Sequence, residues 1–234
     1  MRNMKAVFIK QILSFFKNPE RIAAPAFFIA IPFLILTLMA GADTDRNLIV
    51  SQFVIMFIGI SMVGTSAGFI MEDRFTMNLR FMGMAGVKPY QYLIGTCAAL
   101  LLISFGAIIL FGLMIRYSGE SMINFLIISV LGAATSMLLG ITLSLSKIGN
   151  FTMLIGLLLG IGPIFAEANE VLSNVFHFTY TMQITIIIRS GDMMTDFAES
   201  VQIVLINFAV ILLAFIFMNT RTGLDGEKIL KRRQ

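Results

Sequence analysis

Six stretches of this chain, about Ala23 to Gly41, Val50 to Met71, Gln91 to Ile115, Met122 to Ser146, Ile148 to Ala166 and Val201 to Asn219, hold no Asp, Glu, Lys, Arg or His in their interiors. Each has about the length that crosses the hydrocarbon of a bilayer as a helix, on the order of 20 residues. Backbone groups in lipid must be paired inside the segment, so such runs are helical. The expectation is an all-α membrane protein with six transmembrane helices in one domain, 1–234. A composition of 58% hydrophobic and 13% charged residues leaves no room for a second, soluble domain.

The basic residues orient the bundle. With the N-terminus in the cytosol, the inner segments carry 14 of the 17 Lys and Arg, and only Arg46, Arg116 and Arg189 lie outside. Acids run the other way, with Asp43, Asp45, Glu120, Glu167, Glu170, Asp192, Asp196 and Glu199 outside. This bias predicts a multi-pass protein with both termini cytosolic. It also accounts for the net charge of +4 without nucleic acid as a partner.

Residues 1–21 read as an interfacial amphipathic helix. Phe8, Ile9, Ile12, Leu13, Phe15 and Phe16 share one arc toward lipid, Lys10, Gln11, Ser14 and Lys17 lie opposite, and Asn18-Pro19 ends the helix. A secretory signal is the rival reading, since Ala40-Gly41-Ala42 mimics a cleavage site.

Residues 167–200 form an irregular external segment. Val175 to Ile188 is apolar but interrupted by His177, Thr179, Thr181, Gln183 and Thr185, and a seventh crossing would put Lys228, Lys231, Arg232 and Arg233 outside. We read short external helices dipping into the outer leaflet before the last span, after a fifth span broken near Gly160-Ile161-Gly162-Pro163. Gly160, Gly162, Pro163, Phe165 and Phe176 are the candidate exit of a pathway, and a kink that merely folds the external helices back is the alternative.

The one long interior segment that mixes charge with helical character on the cytosolic side is Glu72 to Gly95. From Arg74 to Ala85, helical spacing puts Phe75, Leu79 and Met82 on one face, Met77, Phe81 and Met84 on the opposite face, and Thr76, Arg80 and Gly83 between them. A helix with two apolar faces buries both, one on its own bundle and the other, rich in deformable Met, in a groove of another protein. An ordinary interfacial helix between two spans is the competing reading.

The order Glu72-Asp73-Arg74, Thr76, Leu79-Arg80, then Pro89 and Tyr92-Leu93-Ile94-Gly95 resembles the segment after the second span of type 2 ABC transporter permeases. That family reads Glu-x-Glu-x-Gly-Thr-Leu, a small loop with Pro, then Tyr-Leu-Leu-Gly-Lys. Here Phe75 stands in place of the Gly, Met77 follows Thr76 in place of Leu, and no basic residue follows Gly95. The resemblance implies that 72–89 is a cytosolic coupling helix docking into a separate ATP-binding subunit, through Glu72, Asp73, Arg74, Phe75, Thr76, Asn78, Leu79, Arg80 and Met82. It also implies two permease copies, or two related chains, around a path lined by the first, second and fifth spans.

The absence of ionisable groups inside the runs argues against ion-coupled transport, which keeps such groups at mid-membrane. No Gly-x-x-x-x-Gly-Lys-Ser/Thr loop occurs, so ATP and Mg are expected on a partner ATPase and no cofactor in this chain. Cys97 is the one cysteine, and no metal site can be read from it. The expectation is the permease subunit of an exporter in a bacterial cell membrane, carrying a hydrophobic or amphipathic substrate such as a peptide, drug or lipid.

The alternatives are a channel-like assembly factor or an intramembrane enzyme. Gly64-Thr65-Ser66-Ala67-Gly68 fits a nucleophile elbow and His177 is the sole histidine, but the topology separates Ser66 and His177 by about 20 Å or more. Gly59, Ser61, Gly64, Ser66 and Gly68 read equally as close helix packing, as do Gly132, Ser136 and Gly140, and Gly156 and Gly160, within one chain or across a dimer.

Overall fold

The computed structural model describes residues 2–39, 45–146, 151–166, 168–190 and 197–222. Ala40-Gly41-Ala42, Lys147, Glu167, Asp192, Asp196 and the basic tail with Lys228, Lys231, Arg232 and Arg233 lie outside the described residues. Among those described there is helix and no strand. The elements are α1 (Arg2–Lys17), α2 (Pro19–Leu38), α3 (Arg46–Met56), a π-helical segment (Phe57–Met62), α4 (Val63–Phe75), α5 (Asn78–Met84), α6 (Pro89–Ile115), α7 (Gly119–Leu145), α8 (Thr152–Ala166), α9 (Glu170–Phe176), α10 (Tyr180–Ser190) and α11 (Phe197–Thr222).

Five helices are long and apolar enough to span: α2, the continuous rod α3–π–α4, α6, α7 and α11. The α8 helix has 15 residues, about 22 Å, short of a full hydrocarbon thickness of about 30 Å. The expected break at Gly160-Ile161-Gly162-Pro163 is not there, because α8 runs unbroken to Ala166 with Pro163 buried inside it. The chain turns only after Ala166, and then again between α9 and α10, whose axes meet at 112°.

The rod and α7 form the centre. Gly59 in the π-helical segment faces Gly160 so closely that an added Cβ would lie 2.5 Å from its backbone nitrogen, and a Cβ at Gly140 would lie 2.1 Å from Ser66 Oγ. Gly132 receives Ile184, and Ser136 Oγ meets the Tyr180 hydroxyl at 2.7 Å. The small residues at spacing four therefore meet partners within one chain, where backbones approach at van der Waals distance. Two do not: Gly64 and Gly68 face open space.

The α9–α10 hairpin dips deep into the bundle. Tyr180 meets α7 at Ser136, roughly 25 Å along that helix from Gly119, while the Tyr117 hydroxyl donates to the Ile188 carbonyl at 3.1 Å back near the α7 start. Thr181, Gln183 and Thr185 on α10 are buried. Gln183 donates to the His177 carbonyl and accepts from Ser200 Oγ at 2.8 Å, and Asn207 of α11 donates to the Phe178 carbonyl at 2.9 Å, so the polar interruptions satisfy each other in the core.

The α1 helix departs from the expected orientation. Val7, Gln11 and Phe15 are buried and press on α6, where a Cβ at Gly95 would touch Val7 at 2.9 Å. Its polar edge turns into the protein, leaving Ile9, Leu13 and Phe16 as the exposed apolar stripe. The cause is a buried carboxylate on α4, which draws Lys10 and Gln11 inward.

Candidate functional site

The carboxylate is that of Asp73, with 3% of its surface exposed. One oxygen accepts from Lys10 Nζ at 2.7 Å and Asn78 Nδ2 at 3.1 Å; the other accepts from Gln11 Nε2 at 3.0 Å and the Tyr92 hydroxyl at 2.8 Å. Gln11 also reaches Thr96 Oγ1 at 3.2 Å. One anion thus ties α1, α4, α5 and α6 together, and a buried charge is tolerable only with this kind of saturation.

The neighbouring charges are also committed inward. Glu72 pairs with Arg21, whose guanidinium donates to Ser14 Oγ at 2.6 Å and lies 4.1 Å from the Phe69 ring centroid. Arg74 donates to the Ser144 carbonyl at 2.8 Å, capping the open C-terminus of α7. Glu72, Asp73 and Arg74 therefore end the rod and clamp it to its neighbours. They do not begin a separate helix, as the sequence reading placed them.

The expected single helix over 74–85 is broken in two. Thr76 turns its hydroxyl back onto the Glu72 carbonyl at 2.7 Å, and Met77 takes a left-handed conformation with φ 61°, uncommon for a residue with a Cβ. The α5 helix then runs from Asn78 and closes in a Schellman motif, with the Val87 amide on the Met82 carbonyl at 2.9 Å and the Gly86 amide on the Gly83 carbonyl at 3.0 Å. Gly86 sits at φ 77°, which suits a residue without a Cβ. Pro89 opens α6 at its first position, and the Lys88 amide donates to Gln91 Oε1 at 3.0 Å. Asn3 of α1 donates to the Gly86 carbonyl at 3.1 Å and holds the turn from below.

The break sorts the apolar residues differently from the periodicity. Leu79, Met82 and Val87 pack on the core, whereas Phe75, Phe81 and Met84 are 78%, 61% and 67% exposed. Arg80 is exposed beside them. Because the αL residue rotates α5 relative to α4, Phe75 leaves the face it would share with Leu79 and joins the opposite one.

Gly160, Gly162, Pro163 and Phe176 are packing residues here. Gly160 receives Ile60 and Met56, and Gly162 receives the Phe176 ring, which lets α9 fold back on α8. Phe165 is exposed on the outer side of α8. Ser66 Oγ donates to the Val63 carbonyl at 3.1 Å, while His177 lies exposed at the α9–α10 turn against Phe178. No base is hydrogen-bonded to Ser66 among the described residues.

Lys10, Gln11, Arg21, Tyr92 and Thr96 were not singled out from the sequence as site residues. Only the odd polar residues inside an apolar run, Tyr92 and Thr96, signalled them, since Lys10 and Gln11 lie on the polar side of α1 and read as solvated. No family model and no curated protein matches the chain, so the permease resemblance rests on the order of its own residues alone.

Proposed function

We propose that the chain is the transmembrane subunit of an ATP-driven exporter of the type 2 ABC permease kind, and that the α4–α5–α6 hairpin is its coupling element. The observation that carries this reading is the apolar face of Phe75, Phe81 and Met84, exposed on a hairpin held rigid from behind by Asp73. The rod behind it has 30 residues, about 45 Å, against a hydrocarbon thickness of about 30 Å. The layer of Lys10, Arg21, Glu72, Asp73 and Arg74 lies between the spans and α5, so Phe81 and Met84 stand on the water side of it. Lipid tails cannot cover them there, and an apolar groove in a soluble partner can.

The energy source follows from the same arrangement. The ion pairs Lys10–Asp73 and Arg21–Glu72 sit at the end of the bundle and serve as clamps, leaving no ion-pair relay at mid-membrane among the described residues. On this reading ATP and Mg are bound by the partner chain, in keeping with a sequence that holds no phosphate-binding loop motif. A second permease copy has a natural seat at Gly64 and Gly68, a small-x-x-x-small groove on α4 with nothing on it. The substrate is hydrophobic or amphipathic on this reading, in keeping with the uncharged, Met- and Phe-rich spans, and the basic bias supports cytosolic termini.

Purification of the tagged chain from its native host in mild detergent tests the proposal. We expect a co-purifying chain with a phosphate-binding loop, whose ATPase rate changes when the permease is present. Recovery of the folded chain with no ATP-binding subunit at any detergent strength would reject it.

A further inference from the structure

Two of the three arginines that the charge bias leaves on the external side, Arg46 and Arg116, converge on one cavity. It lies where the end of α2, the start of α3 and the end of α6 meet, holds about 340 Å³, and is partly open. Its walls are Phe33, Leu36, Leu110, Leu113 and Met114, with Thr37, Arg46 and Arg116 also lining it. Neither guanidinium has an ion-pair or hydrogen-bond partner among the described residues. The nearest described acid in sequence, Asp45, turns its carboxylate to the amides of Asn47 and Leu48, at 3.0 and 3.3 Å.

Two like charges at the rim of one apolar cavity, Arg46 half-buried and Arg116 exposed, favour an anion there. Arg116 is held there at a conformational disadvantage, as the C-cap of α6 with φ 70°, a position that glycine fills without strain. Arginine forks are suited to phosphate oxygens, and apolar clefts rimmed by basic residues at membrane ends select anionic headgroups.

We propose that this cavity binds one anionic phospholipid of the outer leaflet, with an acyl chain along Phe33, Leu36, Leu110 and Met114 and the phosphate between Arg46 and Arg116. The site is independent of the coupling hairpin at the other end of the bundle. A bound lipid would bridge α2, otherwise sparsely packed, to the rod and α6, giving the leaflet composition a hold on the first span.

The test uses the full chain in zwitterionic nanodiscs titrated with phosphatidylglycerol or with phosphatidylcholine of the same chains, read by native mass spectrometry after ejection and by thermal unfolding. We expect retention of one phosphatidylglycerol at least tenfold above phosphatidylcholine, with the difference lost in the Arg46→Gln/Arg116→Gly variant. Arg116→Gly removes charge while relieving the backbone, so its thermal midpoint in zwitterionic lipid should equal or exceed the parent's, separating lost binding from lost folding. Equal retention of the two lipids, or unchanged selectivity in the folded double variant, would overturn the proposal. Saturation by dodecyl phosphate with no selectivity for phosphatidylglycerol would equally overturn it, pointing to a single-chain anion instead of a leaflet lipid.

Discussion

Lys10 Nζ lies 2.7 Å from a carboxylate oxygen of Asp73, across 63 residues of chain, and this pair fixes α1 to the α4 end of the long rod. The tie explains why α1, amphipathic by sequence, lays its polar edge on the bundle.

Removing that carboxylate leaves Lys10, Gln11, Asn78 and Tyr92 facing an empty site. Asp73→Ala should destabilise the fold by about 3–5 kcal/mol, as for breaking a buried pair. Asp73→Asn, which keeps part of the hydrogen bonding, should lose less. Thermal unfolding in one detergent checks the order, and an Asp73→Ala protein as stable as the parent would remove the clamp from the account.

Glycine substitutions should split according to what each Cβ meets. Gly59→Ala and Gly160→Ala drive a methyl into backbone or into Ile60 at 2.5 and 2.6 Å and should cost about 1–3 kcal/mol by overpacking. Gly64→Leu meets nothing within the chain, so it should leave the monomer folded and weaken only self-association. Size-exclusion with light scattering, alongside unfolding, separates the two outcomes.

The turn carries its own signature. Gly86→Ala at φ 77° should lose about 1 kcal/mol, whereas Met77→Gly at φ 61° should change stability by less than about 0.5 kcal/mol, because relieved strain and added chain entropy are of similar size. A large loss at Met77→Gly would mean that its half-buried side chain, not its backbone, matters.

Orientation is read by labelling. In a Cys97→Ala background, cysteine at Ala168 should react with an impermeant reagent from outside intact cells, and cysteine at Gly83 only after permeabilisation. Both positions are exposed on the folded chain. The reverse pattern would invert the protein in the membrane and detach the hairpin from any cytosolic ATPase.

The long helices were legible because hydrocarbon imposes one rule on every residue of a run, and the α1 boundary because Asn18-Pro19 stops a helix. The deep hairpin was legible only as an oddity, since Thr185 is buried on its own helix's Thr181 carbonyl and Gln183 against Ser200 of α11, a packing that no local pattern shows. The break at Met77 was not legible, because an αL methionine carries no local signal; it is imposed by Asn78 reaching back to Asp73 and by the Gly86 turn beyond. Helical periodicity carried across that break put Phe75 on one face with Leu79, whereas it stands exposed with Phe81 and Met84. Pro163, by contrast, suggested a break that does not occur, since its ring is packed in α8 and the helix continues through it.

The most direct measurement compares Phe81→Asp and Met84→Asp with Leu79→Asp in the assembled complex, scoring ATPase subunit retention and thermal stability together. The account predicts that the two outward substitutions keep the parent's unfolding midpoint and lose the ATPase subunit, while Leu79→Asp, which places a charge against the core, lowers stability first. Full retention of the ATPase by a folded Phe81→Asp/Met84→Asp protein would contradict it.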